Sequence, residues 1–301
     1  MKVAIAGGTG FVGRAFINEL LKNDHQVIIL TRSLENKKET KNIRYVKWLS
    51  SHSEPEKELQ DVDAFVNLAG ESLNSGRWTD ERKRQIIESR VSSTRETIRI
   101  MGELLRKPSV FMNASAIGCY PVSYEETFTE SSNTTSESFL SKTVDVWEAE
   151  AHQAERLGIR TVMTRFGVIL GKEEGALPRM ALPYKLFAGG RIGSGKQWMS
   201  WIHVHDVARA LLFIMEYPQM KGPVNLTSPS PERLDTLGKT LADVLHRPHW
   251  LPVPAFAIKL TLGEMSTLVL DGQRVLPEKL TAHSFTFQFP RLKEALEDIY
   301  K

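Results

Sequence analysis

Residues 2–13 read KVAIAGGTGFVG. KVAIA is short and almost wholly apolar, as a buried strand is, and the helical pattern FVGRAFINELLKN (11–23) opens before the glycines have ended. Gly7, Gly10 and Gly13 stand at GxxGxxG spacing across that junction. Small residues there let the backbone approach a pyrophosphate, and the helix start offers unpaired N–H groups with a partial positive charge. Glycines alone would mark only a tight turn. Between a strand and a helix, with a second strand following, they mark a dinucleotide cradle.

The same rhythm continues downstream. QVIIL (26–30), IRYVKW (43–48), DAFVNLAG (63–70), SVFMNASAIG (109–118) and IRTVMTRFGVIL (159–170) have strand character. A long polar helix, TDERKRQIIESRVSSTRETIRIMGELL (79–105), starts at Thr79 as N-cap. Strands rich in Val, Ile and Leu that alternate with helices predict an α/β fold: a Rossmann-type doubly wound parallel sheet, with ligands at the carboxyl ends of its strands. After Gly171, glycine and proline loosen the pattern. The expected division is an NADP-binding Rossmann domain over 1–171 and a smaller C-terminal substrate lobe over 172–301, with 200–228 returning to the first. Within that return, WIHVHDVARALLFIM (201–215) has the pattern of a strand entering a helix capped by Asp206, and PVNLTS (223–228) that of another strand.

The 301 residues carry 39 Lys and Arg against 36 Asp and Glu, so the net charge of +3 is small. No basic stripe interleaved with aromatics appears, and nucleic acid is not an expected partner; NKKETKNIR (36–44) fits a solvated loop. A single cysteine, Cys119, excludes an internal disulfide framework and fits a reducing compartment. The N-terminus lacks the apolar region of a signal peptide, and no apolar run approaches a membrane span. The expectation is a cytoplasmic protein with a small-molecule substrate and no membrane partner, and the sequence leaves room for a homodimer.

The end of the second strand discriminates between cofactors. An NAD site places Asp or Glu there for the ribose 2′-hydroxyl, whereas this chain has LTRS (30–33) and no carboxylate before Glu35. Arg32 fits a 2′-phosphate, with Thr31 and Ser33 as hydroxyl partners, and NADP is the expected cofactor. The plainer role for Arg32 is a surface charge at a loop start.

With GGTGFVG (7–13), VNLAG (66–70) and SAIGCY (115–120), the chain resembles the extended short-chain dehydrogenase/reductases, the branch that contains the sugar epimerases. RWTDERKRQIIESRVSSTRE (77–96), WIHVHDVARA (201–210), GPVNLTSPSP (222–231) and GQRVLP (272–277) narrow the resemblance to an atypical epimerase-family group whose substrates are mostly unassigned. The resemblance implies redox chemistry and assigns the pyrophosphate to the backbone around Thr9, Gly10, Phe11 and Val12. It places Leu68 and Ala69 beside the adenosine half, makes Arg90 a cofactor-side cation, and gives the nicotinamide end to main-chain groups from Arg165 to Ile169. Arg90 fits equally well a helix-surface ion pair with Glu88 or Glu96.

In that superfamily a hydride passes between nicotinamide and substrate while a tyrosine hydroxyl moves the proton. A lysine one turn away lowers the tyrosine pKa, and a serine at the fifth strand's end polarises the substrate oxygen. Ser115 takes the serine position. The pair is missing. SESFLSKTVDVWE (136–148) aligns on Lys142 with Ser138 in the tyrosine's place, or on Glu148 with Leu140 and Val144 in place of tyrosine and lysine. The WE landmark favours the second register, and neither delivers a phenol. Tyr120 is the remaining candidate for the proton, with an aromatic pocket wall as its plainer role.

On the substrate side, sugar epimerases carry an arginine two residues after a glutamine ahead of the IHV strand. Here Gln197 is followed by Trp198 and Met199, which argues against a nucleotide sugar. Arg179, Lys185, Arg191 and Lys196, with Trp198 and Trp201, fit either a pocket for an anionic or aromatic compound or solvated charges around a tryptophan core. His203 and His205 share a strand face, but no third ligand stands at suitable spacing, so no metal is expected. Two functions stay open. One is an NADP-dependent oxidoreductase or epimerase acting on a small carbonyl or hydroxyl compound, with Ser115 and Tyr120 in the chemistry. The other is a non-catalytic NADP(H)-binding sensor or scaffold.

Overall fold

A computed structural model describes residues 1–134 and 136–301. Val3, Ala4, Ile5 and Ala6 are all fully buried, because the strand they form is covered on both faces. This strand, β1 (Lys2–Ala6), lies mid-sheet with β2 (Gln26–Thr31) and β3 (Ile43–Lys47) on one side. On the other side follow β4 (Ala64–Asn67), β5 (Val110–Ala116), β6 (Arg160–Phe166) and β7 (Gly222–Leu226). The order β7-β6-β5-β4-β1-β2-β3 is parallel throughout. The winding reverses between β1 and β4, where a doubly wound sheet opens a crevice for its ligand.

Helix α1 (Phe11–Lys22) covers one face, burying Phe16, Ile17 and Leu20 with Val207, Leu211 and Ile214 of α5 (Val204–Glu216). Helices α2 (Asp80–Glu103) and α3 (Phe139–Ala151) cover the other, where Ile100, Met101 and Ala151 join Phe65, Phe111 and Met163. Thr79 caps α2 by accepting a hydrogen bond from Arg82 N at 3.2 Å. A third core lies in the C-terminal lobe, where α4 (Leu177–Lys185), α6 (Leu234–Leu245) and α7 (Leu292–Tyr300) pack around Trp201. Among the described residues no helix is long and apolar enough to cross a membrane.

Two expectations change here. The strand expected over 159–170 is two: β6 stays in the sheet, and Val168–Leu170 leaves it to pair with Trp201–His203. Gly167 makes the crossing, since a Cβ there would lie 2.4 Å from Ser200 O. The helix cap is His203 rather than Asp206. His203 Nδ1 accepts from His205 N at 3.1 Å. Asp206, fully buried in the first turn, accepts from Gln288 N and Phe289 N at 2.8 Å each and from Arg209 Nη1 at 3.0 Å. Its carboxylate ties the C-terminal segment to the sheet domain.

Candidate functional site

The chain turns after β1 at Gly7, whose φ is +77°. A Cβ at Gly7 would stand 2.7 Å from the Leu68 carbonyl, and one at Gly13 would stand 2.4 Å from Gly7 O. Gly10 N donates to Gly7 O at 3.1 Å. The turn is tight because no side chain intervenes, and it opens on a cleft of about 590 Å³ lined by Gly7, Gly10, Phe11, Val12, Gly13 and Leu68. Arg14 straps this turn to the loop after Gly171: Nη1 donates to Thr9 O at 2.7 Å and Nη2 to Glu174 Oε1 at 2.5 Å. The Phe11 ring packs against Gly171, where a Cβ would come within 2.4 Å of it. Across the cleft stands Arg179, donating to Asn74 O at 3.0 Å. The sequence reading missed the strap of Arg14 and Glu174 and set Arg179 with the substrate instead.

At the end of β4, Ala69 N donates to Asn67 Oδ1 at 3.1 Å. Asn67 is buried and bonds in turn to Thr94 and Asn113, fixing the strand end beside the glycine turn. At the end of β2, Thr31 Oγ1 donates locally to Ser33 O at 2.9 Å. Arg32 is exposed, and its guanidinium makes no hydrogen bond or ion pair among the described residues.

A second cavity, of about 510 Å³, adjoins the ends of β5 and β6. Ala116, Ile117 and Gly118 form one wall, Phe166, Gly167 and Val168 another, and Leu140, Thr143, Val144 and Trp147 of α3 a third. Ser138 caps α3 by accepting from Ser141 N at 3.1 Å. Leu140 and Val144, one turn apart, both face the cavity. Lys142 lies outside it and pairs with the exposed Glu137 at 2.8 Å. No phenol or amine enters from this helix.

Ser115 and Tyr120 do not line the cavity either. Successive strand residues alternate faces, so Ala116 presents itself to the cavity while Ser115, 2% exposed, turns inward and donates to Glu148 Oε1 at 2.5 Å. Tyr120 is 1% exposed; its hydroxyl donates to Asn225 Oδ1 and accepts from Arg165 Nη1, each at 2.9 Å. Burial pushes the phenol up to about 12, with Arg165 pulling against that. The candidate proton carrier of the sequence reading is therefore a buried polar link. Glu148, seen in the sequence only as a landmark, is the hub: Arg165 binds it bidentately through Nε at 2.8 Å and Nη2 at 2.7 Å.

Arg90 does face the cavity, and it pairs with neither Glu88 nor Glu96. Its Nη1 donates to Ile86 O and Glu71 O, its stem packs on Gly70, and its guanidinium stacks 5.0 Å over Trp147. Ile169 is absent from the lining because the Val168–Leu170 pairing commits it to Ile202. The histidine pair gains the third group that the sequence lacked, Asp298, whose carboxylate lies 3.3 Å from His203 Nε2. With Nδ1 accepting the cap bond, the neutral ring carries its hydrogen on Nε2, so a cation there would have to break the cap. Burial and His205 push His203 down to about 3.

A family model described as the NAD dependent epimerase/dehydratase family matches residues 3–226. The chain belongs to that family. Residues 253–299 match a further model, a domain of unknown function (DUF1731). The epimerase family protein YfhF of Bacillus subtilis (strain 168) is 48% identical over 299 residues, covering 99% of this chain and 98% of that protein. The epimerase family protein SH2119 of Staphylococcus haemolyticus is 47% identical, covering 98% of this chain and 97% of that one. Among solved structures, human epimerase family protein SDR39U1 (isoform2) with NADPH superposes with a TM-score of 0.87 at 30% identity, covering 100% of this chain and 99% of its own. The nucleoside-diphosphate sugar epimerase of Corynebacterium glutamicum gives 0.79 at 29% identity; this chain spans 58% of it.

Proposed function

We propose that the chain is an NADP-dependent oxidoreductase of the epimerase type, acting on a small carbonyl or hydroxyl compound. Arg32 carries the reading. Its free guanidinium stands at the end of β2, where a dinucleotide laid over the glycine turn would bring its adenosine ribose. A 2′-phosphate offers paired acceptors to such a fork, whereas a ribose hydroxyl calls for a carboxylate. The human relative solved with NADPH supports the same cofactor.

The glycine turn fits the group, since its shape depends on missing Cβ atoms at Gly7 and Gly13. The backbone of 7–13 would hold the pyrophosphate, Leu68 and Ala69 the adenosine, and the Phe166–Val168 wall the nicotinamide end. Bound NADPH supplies a hydride. The chain's own contribution is an apolar chamber that orients an acceptor and keeps water out. A non-catalytic sensor is favoured by one observation, the Leu140 and Val144 side chains where phenol and amine would stand.

Calorimetry tests the cofactor. NADPH binds more tightly than NADH, and Arg32→Glu lowers NADPH affinity about 10–100-fold, the worth of one charge-assisted contact, while sparing NADH. Equal binding of both dinucleotides by the unaltered chain would overturn the reading. Consumption of NADPH with any member of a carbonyl panel separates the enzyme from the sensor.

A further inference from the structure

The cations that the sequence offers to an anionic ligand stand elsewhere in the fold. Arg179 lies at the phosphate cleft, Lys185 sits 5.6 Å over the Tyr300 ring, and Arg191 and Lys196 are outside the lining of the apolar cavity. Arg233 and Arg274 come near only over the Trp198 ring, at 3.7 and 5.0 Å from its centre. Among the described residues Arg90 is the one cation in the lining, and its Nη1 is already committed to two backbone carbonyls. Burial pushes it down to about 10. The rest of the wall is largely carbon. A diphosphate or carboxylate placed there would lose its water for a single cation, the Arg90 guanidinium, of which only Nε and Nη2 remain to meet it.

Two carboxyl groups border the same cavity. Glu264 is paired with Lys83. The Asp271 carboxyl makes no hydrogen bond and no ion pair among the described residues. The backbone that follows it is held in place. Gly272 passes Trp198 so closely that a Cβ would lie 2.1 Å from Trp198 O, and Gly272 O accepts from Ser123 N at 3.2 Å. Gln273 Nε2 donates to Tyr120 O at 3.0 Å. These bonds hold the chain just after Asp271 against the loop whose Ile117 and Gly118 form the wall against Leu140. The charges around it are Lys259, the Glu264–Lys83 pair, and the guanidinium groups of Arg233 and Arg274 beside Trp198. Partial burial pushes the Asp271 carboxyl up, and Lys259 pulls it back.

We propose that this cavity takes an uncharged, largely apolar carbonyl compound, and that Asp271 is the catalytic acid that protonates its oxygen. The proposal rests on the NADP-dependent reading above. The carbonyl carbon gains a hydride from NADPH, which becomes NADP⁺. The C=O π pair forms the new O–H bond with the proton of Asp271, and the carboxylate regains a proton from water on its exposed side.

The test takes the full chain with 2-acetylnaphthalene and UDP-glucose as probes. Calorimetry without cofactor examines the cavity alone. The ketone binds, UDP-glucose does not, and Leu140→Arg abolishes ketone binding; Val144→Glu does the same should the first variant fail to fold. Binding of UDP-glucose in place of the ketone overturns the substrate class, as does absence of ketone binding with and without cofactor. With NADPH present, Asp271→Asn leaves ketone affinity unchanged and slows NADPH consumption about 100-fold or more, and Asp271→Glu restores part of it. Because the acid form donates, the wild-type rate falls as pH rises through the raised Asp271 pKa, and that limb disappears in Asp271→Asn. An Asp271→Asn protein with the wild-type rate and pH profile overturns the catalytic role. Ketone binding by a chain that ignores NADPH supports the substrate class and defeats the cofactor reading instead.

Discussion

Glu148 holds together three side chains that the sequence placed in or near the chemistry. Ser115 and Arg165 bond to it directly, and Arg165 passes the connection to Tyr120 and so to Asn225. Removing the carboxylate would leave a guanidinium in the interior without its counter-charge. Glu148→Ala should therefore cost about 3–5 kcal/mol in urea unfolding, the scale for breaking a buried pair from one side. Glu148→Gln, which retains an acceptor for Ser115, should cost less. The sequence singled out Ser115 and Tyr120 for the chemistry and used Glu148 only as a landmark, so the bonds that join them went unread. Which face of β5 a residue joins turns on a single step of alternation, and motif spacing does not resolve that step. The place of Arg32 could be read because it is set locally, at the end of a strand with no carboxylate before Glu35.

The glycine turn illustrates what a single element can reveal. Gly7, Gly10 and Gly13 could be read in advance because strand, turn and helix are contiguous, and each close approach there involves backbone a few residues away or the neighbouring strand. The break at Gly167 was hidden because its cause is Ser200, remote in the chain. Two substitutions to alanine separate a required glycine from an incidental one. At Gly13 the new Cβ would meet Gly7 O at 2.4 Å and Gly8 Cα at 2.6 Å, so Gly13→Ala should destabilise by about 1–3 kcal/mol through overpacking and weaken NADPH binding. At Gly102, near the end of α2, the nearest atom would be 3.9 Å away, and Gly102→Ala should stabilise by about 0.5–1 kcal/mol. Parallel denaturant titrations, with calorimetry for NADPH, check both signs.

Across the whole molecule, the lobe that carries Asp271 must stay docked on the domain that carries the glycine turn, and Asp206 is a principal tie. In the sequence it resembled a helix cap, since a carboxylate in a first turn suits the helix dipole. Its actual partners, the N–H groups of Gln288 and Phe289, belong to a segment that sequence spacing could not bring near. Asp206→Ala leaves those two donors without their acceptor, at about 1–3 kcal/mol for each that stays buried. Arg209→Ala removes only a partly exposed ion partner and should cost under about 1 kcal/mol. The larger loss should also be local. In Asp206→Ala, limited proteolysis should cut first between residues 283 and 291, and thermal unfolding should divide into two transitions as the lobe detaches. A single transition with an unchanged cleavage pattern would mean that the apolar packing of α4, α6 and α7 around Trp201 holds the lobe without the carboxylate.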